Sequence, residues 1–449
     1  MSKNKYEIDM CNGSIMDKLI SFSIPLMISS MLQLTFNAVD IIVVGRFSGS
    51  DALAAVGATT ALIAVFINLF IGISLGANVL AARFYATGKV QEMSDTVHTA
   101  ILFAILSGIF MTFMGLTLSG FALKLMGTPD HIIGQSVLYM RIYFLGMPFF
   151  MVYNYGASIL RAVGDTKRPL VFLIIAGLMN TALNLILVIV FHLGVAGVAI
   201  GTIVSQFVSG VLVLRCLYRS EGSYQFRFRK LSIKGLYLKQ IFQVGIPAGI
   251  QSTVINISNA LLQSSVNSFG STAMAGYTAA NNILGFLYFS VNAVTQACMS
   301  FTSQNYGLRK FKRMDRVLAD CMILSVGIAI VMGGLVFFFG NQLLYIYTDQ
   351  EGVVACGMEI LSFTTTTYFF CGLMDLFPGA LRGMGFSTVP MILSIIGTVG
   401  TRIVWIYGLF PSHRSLSFLF ISYPVSWIIT ILMQLVCFVY VRRKVRRIG

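Results

Sequence analysis

The chain has 449 residues, of which 57% are hydrophobic and only 10% charged, and it carries a formal net charge of +15. That make-up excludes an ordinary soluble globular protein. The seven cysteines are scattered with no Cys-x-x-Cys or Cys/His spacing, so neither a metal centre nor a disulfide framework is indicated.

Apolar runs recur from end to end and predict twelve helical spans, at about 19–44, 53–81, 96–120, 133–160, 170–191, 195–217, 239–264, 274–301, 317–345, 357–381, 388–410 and 416–440. An all-α integral membrane protein is expected. Residues 1–17 are polar and carry Lys3 and Lys5. The apolar run after them is too long for a signal-peptide core and reads as an uncleaved first span.

That first span holds Pro25, Thr35, Asn37 and Asp40. Proline removes a backbone hydrogen bond from the preceding turn and lets a helix bend. A carboxylate at bilayer depth costs about 2.5–3.5 kcal/mol on insertion scales, so Asp40 should face a protein interior or a wet cavity. A bendable helix with one titratable group reads as the coupling element of a transporter, with Pro25 as its hinge. The plainer alternative is a buried Asp40 satisfied by Asn37 or Thr35, with Pro25 an ordinary kink.

The longest polar interval, 218–238, carries Arg219, Arg227, Arg229, Lys230 and Lys234 and divides the chain in half. Its latter part mixes bulky apolar and basic residues in the manner of a segment lying along lipid headgroups. The expected organisation is a six-helix lobe at 1–217, a cytoplasmic linker at 218–238 and a second six-helix lobe at 239–449. With the N-terminus inside, nearly all Lys and Arg fall on inside segments. Only Arg46, Lys124 and Arg414 fall outside, and Arg141 and Arg402 lie within spans. The positive-inside rule then places both termini in the cytoplasm. The same short basic loops account for the net charge, so no nucleic-acid partner is expected.

An internal repeat underlies the two halves. A shift of about 221 residues pairs Gly49 with Gly270, Tyr85 with Tyr306, Lys89 with Lys310, Leu160-Arg161 with Leu381-Arg382, Gly164 with Gly385 and Pro169 with Pro390. Pro25 and Pro247 correspond with one residue of slip. Six spans per repeat keep both halves in the same orientation, a parallel repeat whose two lobes suit alternating access.

Among the sixteen acidic residues only Asp40 and Asp375 lie well inside spans. Under the repeat Asp375 falls opposite Asn154. A carboxyl group removed from water is easier to protonate, which suits a group that loads and releases protons. An ionised carboxylate with Asn carbonyls and Thr hydroxyls would instead make an oxygen cage for sodium. Asp375 reads equally as a cavity residue or as a structural partner of Arg402. His98 and His192, near span ends, read as structural. Gly164-Asp165-Thr166-Lys167 lacks P-loop spacing, and no nucleophile–base pattern supports an enzyme.

Val39-Asp40-Ile41-Ile42-Val43-Val44-Gly45-Arg46, Ala52-Leu53-Ala54-Ala55-Val56-Gly57, and the loop Leu160-Arg161-Ala162-Val163-Gly164-Asp165-Thr166-Lys167-Arg168-Pro169 with its repeat Leu381-Arg382-Gly383-Met384-Gly385 resemble the multidrug and toxic compound extrusion (MATE) family over nearly the full length. The resemblance implies a V-shaped pair of six-helix bundles that exports organic, often cationic, compounds in exchange for H+ or Na+. Carried over by position, it implies Asp40 as the first-span acid, Pro25 as the bending proline, and Asn154, Asn180 and Asn184 as the polar residues completing an ion-coupling site, with Na+ at Asp40 as one form. Asn184 stands where the branch of that family with its coupling site in the N-terminal lobe often has an aspartate, and the seventh span, where another branch places an acid, has none, so the coupling ion stays open. Asn37, Asp375 and Arg402 are the expected substrate-cavity residues. No cofactor is expected beyond the coupling ion. The expected partners are drug-like small molecules and the lipid bilayer, for a monomer in a bacterial-type plasma (inner) membrane. The alternative function is a lipid-linked oligosaccharide flippase of related fold, for which Arg141 and Arg402 argue, since guanidinium groups attract anionic headgroups.

Overall fold

The computed structural model describes residues 6–448, so Lys3 and Lys5 lie outside the described part. The described residues form helices joined by short turns, with no strand among them. In order these are α1 (Met16–Phe47), α2 (Ser50–Ala86), α3 (Val90–Leu125), α4 (Asp130–Leu145), α5 (Met147–Ala162), α6 (Lys167–Leu185), α7 (Gly194–Arg219), α8 (Gly235–Asn267), α9 (Ser271–Gly307), α10 (Phe311–Tyr345), α11 (Glu351–Gly383), α12 (Thr388–Ser394), α13 (Thr401–Val404) and α14 (Leu416–Ile448). With α4 and α5 as one run and α12 and α13 as another, they make twelve helical runs.

Ten runs are each long and apolar enough to cross a membrane. The expected single span at 133–160 is instead two helices, α4 and α5, bent by 48° at a break, and they pass only together. Pro148 in the first turn of α5 has no N–H to continue the ladder from α4. The remaining run, α8, has the length but is interrupted by Gln240, Gln243, Gln251, Asn256, Asn259 and Gln263.

Helix starts repeat with the sequence. Ser50 and Ser271, Val90 and Phe311, Asp130 and Glu351, and Lys167 and Thr388 all lie 221 residues apart. So do the left-handed turn residues: Gly49 and Gly270 (φ 90° and 99°), Gly164 and Gly385 (both 94°), and Gly88 and Arg309 (67° and 55°). Glycine fits this region without steric cost; Arg309 holds the same backbone turn without that freedom.

Packing divides the chain into two units. One contains residues 6–8 together with Ile28–Gly249, the other Asp9–Met27 together with residues 250–448. The two helices α1 and α8 therefore each begin in one unit and end in the other. The change falls two residues after Pro25 in α1 and two residues after Pro247 in α8.

In the first unit, Gly72 and Gly76 of α2 meet Gly245 and Gly249 of α8, and a Cβ on any of the four would overlap backbone of the facing helix. This is the small-residue contact that lets membrane helices approach closely. The linker is held to α3: buried Phe226 stacks on His98 at 5.6 Å, His98 Nε2 accepts the Arg227 N–H at 3.0 Å, and Thr99 Oγ1 accepts the Lys234 N–H at 3.1 Å. Its cation-rich stretch forms a short 3-10 turn, Phe228–Lys230. Glu7 accepts hydrogen bonds from the hydroxyls of Tyr85 and Tyr224, both at 2.6 Å. Asp165, buried in the loop before α6, pairs with Arg168; burial pushes its carboxyl up despite that partner.

In the second unit, α9, α11 and α14 bury Tyr277, Leu287, Leu361, Tyr368 and Trp427. The segment before α1 is tied down through its carbonyls: Lys310 Nζ donates to Cys11 at 2.9 Å and Arg313 Nη1 to Gly13 at 2.9 Å. Phe22 packs edge-on against Phe301 at 5.7 Å. Asp315 of α10 receives Arg442 at 2.5 Å and Arg446 at 2.6 Å from the end of α14.

Candidate functional site

The first unit brings together three of the four residues named for ion coupling. Asn184 Nδ2 donates to Asp40 Oδ1 at 2.5 Å, and Asn180 lies one turn earlier on α6. With its amide nitrogen toward α1, Asn180 donates to the same Oδ1 at 2.8 Å. Turned the other way, its oxygen accepts Asn184 Nδ2 at 3.3 Å and its nitrogen reaches Thr202 Oγ1 at 3.4 Å. Asn180 and Asn184 are both buried, and Asn184 Oδ1 has no hydrogen-bond partner. Tyr139 and Tyr143 of α4 lie within electrostatic reach of Asp40.

Two backbone features shape this cluster. Gly201 of α7 faces Asn184 so closely that a Cβ there would overlap the amide oxygen. Directly after α6 the helix widens into a π turn, Ile186–Val190, and such turns often sit at functional sites. The other first-unit candidates lie outside the cluster. Asn154 donates to the Phe150 carbonyl one turn back on its own helix at 2.8 Å, and Asn37 is exposed on α1. Neither Asn37 nor Thr35 satisfies Asp40; Thr35 donates to the Met31 carbonyl at 3.0 Å. Pro25 is buried in α1, which runs helical through it.

The second unit holds a cavity of about 380 Å³ lined by residues of α8, α9, α11, α13 and α14 and by Thr398 of the turn before α13. Its walls are aromatic (Tyr277, Tyr288, Phe289, Tyr368, Tyr423, Trp427) with Asn256, Asn259, Asn281, Asp375 and Arg402 among them. Asp375 and Arg402 therefore share a cavity, but the pairing weighed for them is absent. Arg382, two turns along α11, lies within electrostatic reach of Asp375. Arg382 is itself held by Gln251, to which its Nη2 donates at 2.6 Å. Arg402 is 3% exposed and donates through Nη1 to Asn259 Oδ1 at 2.7 Å and Ser258 Oγ at 3.4 Å, with Tyr423 beneath its guanidinium at 4.7 Å. It sits on the four-residue α13 between two π turns, Ile395–Gly400 and Trp405–Leu409. Arg141 is exposed on α4.

Arg382, Asn259 and Gly201 were not among the candidates. The spacing of Arg382 from Asp375, seven residues on one helix, was a readable signal. Asn259 is the repeat counterpart of Asn37 at the offset that pairs Pro25 with Pro247. Gly201 carries no side chain and leaves no chemical signal in the sequence.

The family model MatE matches residues 25–186 and 247–407, each stretch starting at one of the paired prolines. The chain belongs to the MatE family. A probable multidrug resistance protein of Bacillus subtilis (strain 168), YoeA, is similar to this MatE chain at 27% identity over 431 residues, 94% of this chain and 92% of that relative. The multidrug export protein MepA of Staphylococcus saprophyticus is 22% identical over 86% of this chain and 85% of its own. Among solved structures, the outward-facing conformation of a multidrug resistance MATE family transporter of the MOP superfamily superposes with a TM-score of 0.92 at 20% identity, over 99% of this chain and 100% of that one. That likeness concerns the fold. The all-α, twelve-helix, two-lobe architecture expected from the internal repeat is the one this MatE protein has.

Proposed function

We propose that this MatE protein is a secondary antiporter of a bacterial-type inner membrane, with both termini cytoplasmic, exporting drug-like organic compounds in exchange for H+ loaded on Asp40. The names of the relatives YoeA and MepA, a probable multidrug resistance protein and a multidrug export protein, support multidrug export. The observation that carries the coupling is the Asp40–Asn180–Asn184 cluster. With Asp40 ionised, two amide N–H groups meet one carboxylate oxygen, a charge-assisted arrangement. A proton arriving on Oδ1 makes one donor redundant, and a half-turn of the Asn180 amide presents its oxygen to accept the new O–H. Protonation is thereby linked to a side-chain rearrangement between α1 and α6. Pro25 serves as the hinge of α1 in this cycle. The unpartnered Asn184 Oδ1 favours a second form, in which Na+ would be the coupling ion and Asp40 and Asn184 would be its oxygen donors.

The test uses proteoliposomes with proton and sodium gradients imposed separately on wild type and Asp40→Asn. Asparagine keeps the size but cannot change charge. The wild type is expected to export under a proton gradient, and the variant to lose at least about tenfold of that flux with unchanged insertion and thermal stability. Export by the wild type under a sodium gradient alone would replace H+ by Na+. Wild-type flux from the variant would end the coupling role of Asp40.

A further inference from the structure

We infer that the cavity of the second unit is built for an organic anion: an aromatic or amphipathic compound bearing a carboxylate, sulfonate or phosphate that docks on Arg402. The inference rests on reading the chain as an exporter of small organic compounds, and it names the charge of the compound.

The charges within the unit decide the sign. Asp375 is the single acid among the lining residues, and it forms no ion pair with Arg402. Among the described residues Arg402 has no carboxylate partner; its contacts are the amide of Asn259, the hydroxyl of Ser258 and the ring of Tyr423, all neutral. Its Nε is buried without any acceptor. A guanidinium removed from water is strongly penalised unless an anion meets it, and its planar donor fork matches carboxylate and phosphate oxygens. The rest of the cavity fits the body of such a compound. Its size falls in the range of small-ligand pockets, and its aromatic walls offer apolar faces. The two π turns that flank α13 place the guanidinium on a short, non-uniform stretch of helix, as functional residues in helices often are.

Tryptophan supplies the readout. The chain has two tryptophans, of which Trp427 lines the cavity and Trp405 does not. In lipid nanodiscs carrying Trp405→Phe protein, energy transfer from Trp427 reports binding of three probes on one body: 4-(pyren-1-yl)butanoate, its methyl ester, and the trimethylammonium analogue. Empty nanodiscs give the partitioning background, and no ion gradient is applied. The expected result is that the carboxylate binds at least about tenfold more tightly than the other two. Arg402→Gln should abolish that preference while leaving the ester within about twofold. Arg402→Lys, which keeps the charge but not the fork, should retain part of it. Asp375→Asn should strengthen carboxylate binding by a few-fold. This last variant decides the matter if Arg402→Gln does not fold.

Tightest binding of the ammonium probe, equal losses for all three probes in folded Arg402→Gln, weaker carboxylate binding in Asp375→Asn, or no saturable transfer with any probe would each overturn the inference. Because binding is read without a gradient, its failure is separate from that of Asp40-coupled export, which the flux of Asp40→Asn reports.

Discussion

A methyl group on Gly201 would occupy the space now held by Asn184 Oδ1. The side chain of Asn184 is the flexible partner in that overlap, so Gly201→Ala should fold by turning the amide away from Asp40. The lost contact is a hydrogen bond to a charged group, in the class of about 1.5–3 kcal/mol. We expect Gly201→Ala to insert normally and to lose most proton-driven export, with Asn184→Ala behaving alike; equal flux in Gly201→Ala and wild type would show that the cluster tolerates a displaced Asn184. At this scale the sequence was informative where a charged group breaks an apolar run. Asp40, Asp375 and Arg402 stood out for that reason. The partners of Asp40, Asn180 and Asn184, came through the family resemblance, whereas the partner of Arg402 was not legible, because an amide such as Asn259 carries no cost that marks it in a membrane span and a buried contact depends on rotamers that spacing does not settle.

The contact between α2 and α8 depends on what is missing from both helices. A glycine inside a helix costs roughly 0.5–1 kcal/mol relative to alanine, and here four of them bring two backbones together. Overpacking a close contact costs typically about 1–3 kcal/mol, occasionally more. Gly76→Ala should therefore lower the melting temperature measurably, since its Cβ would meet the Ile241 carbonyl. Gly134→Ala on α4, where nothing lies within 4 Å of the added atom, should leave it unchanged or raise it. A Gly76→Ala protein as stable as wild type would mean that α8 simply shifts. Element boundaries were largely readable, since four helix starts of one repeat recur 221 residues on in the other. The α4–α5 break was present as Gly146 and Pro148 but was hidden by continuous hydropathy. The polar make-up of α8 is the converse: its length and repeat position identify a helix that apolarity alone would miss.

At the scale of the whole chain, the polar interval at 218–238 is where the repeats join in sequence, whereas packing changes allegiance after Met27 and after Gly249. Neither half is then complete by itself. A fragment ending at residue 220 lacks Gly245 and Gly249, which close against α2, and a fragment starting at residue 221 lacks the segment that Lys310 and Arg313 hold. We expect each fragment expressed alone to be degraded or aggregated, and the two expressed together to co-purify. Stable recovery of either fragment alone would show that the exchanged segments are dispensable. This exchange was not legible, because it depends on which neighbour a helix packs against rather than on any residue pattern along it.

The repeat has also diverged in sign, with an acid in the Asp40 cluster of one unit and an unanswered guanidinium at Arg402 in the other. A cycle that carries one proton inward on Asp40 and one monoanion outward from Arg402 transfers two positive charges toward the cytoplasm. An inside-negative potential of 100 mV then contributes roughly 2.3 kcal/mol per charge, so voltage alone should drive export when the two compartments have equal pH. Proteoliposomes given a potassium diffusion potential with valinomycin test this directly. Export of an anionic probe should quicken when the inside is made negative and slow when it is made positive, and the same duplicated scaffold would thus act as a current-carrying pump for its cargo.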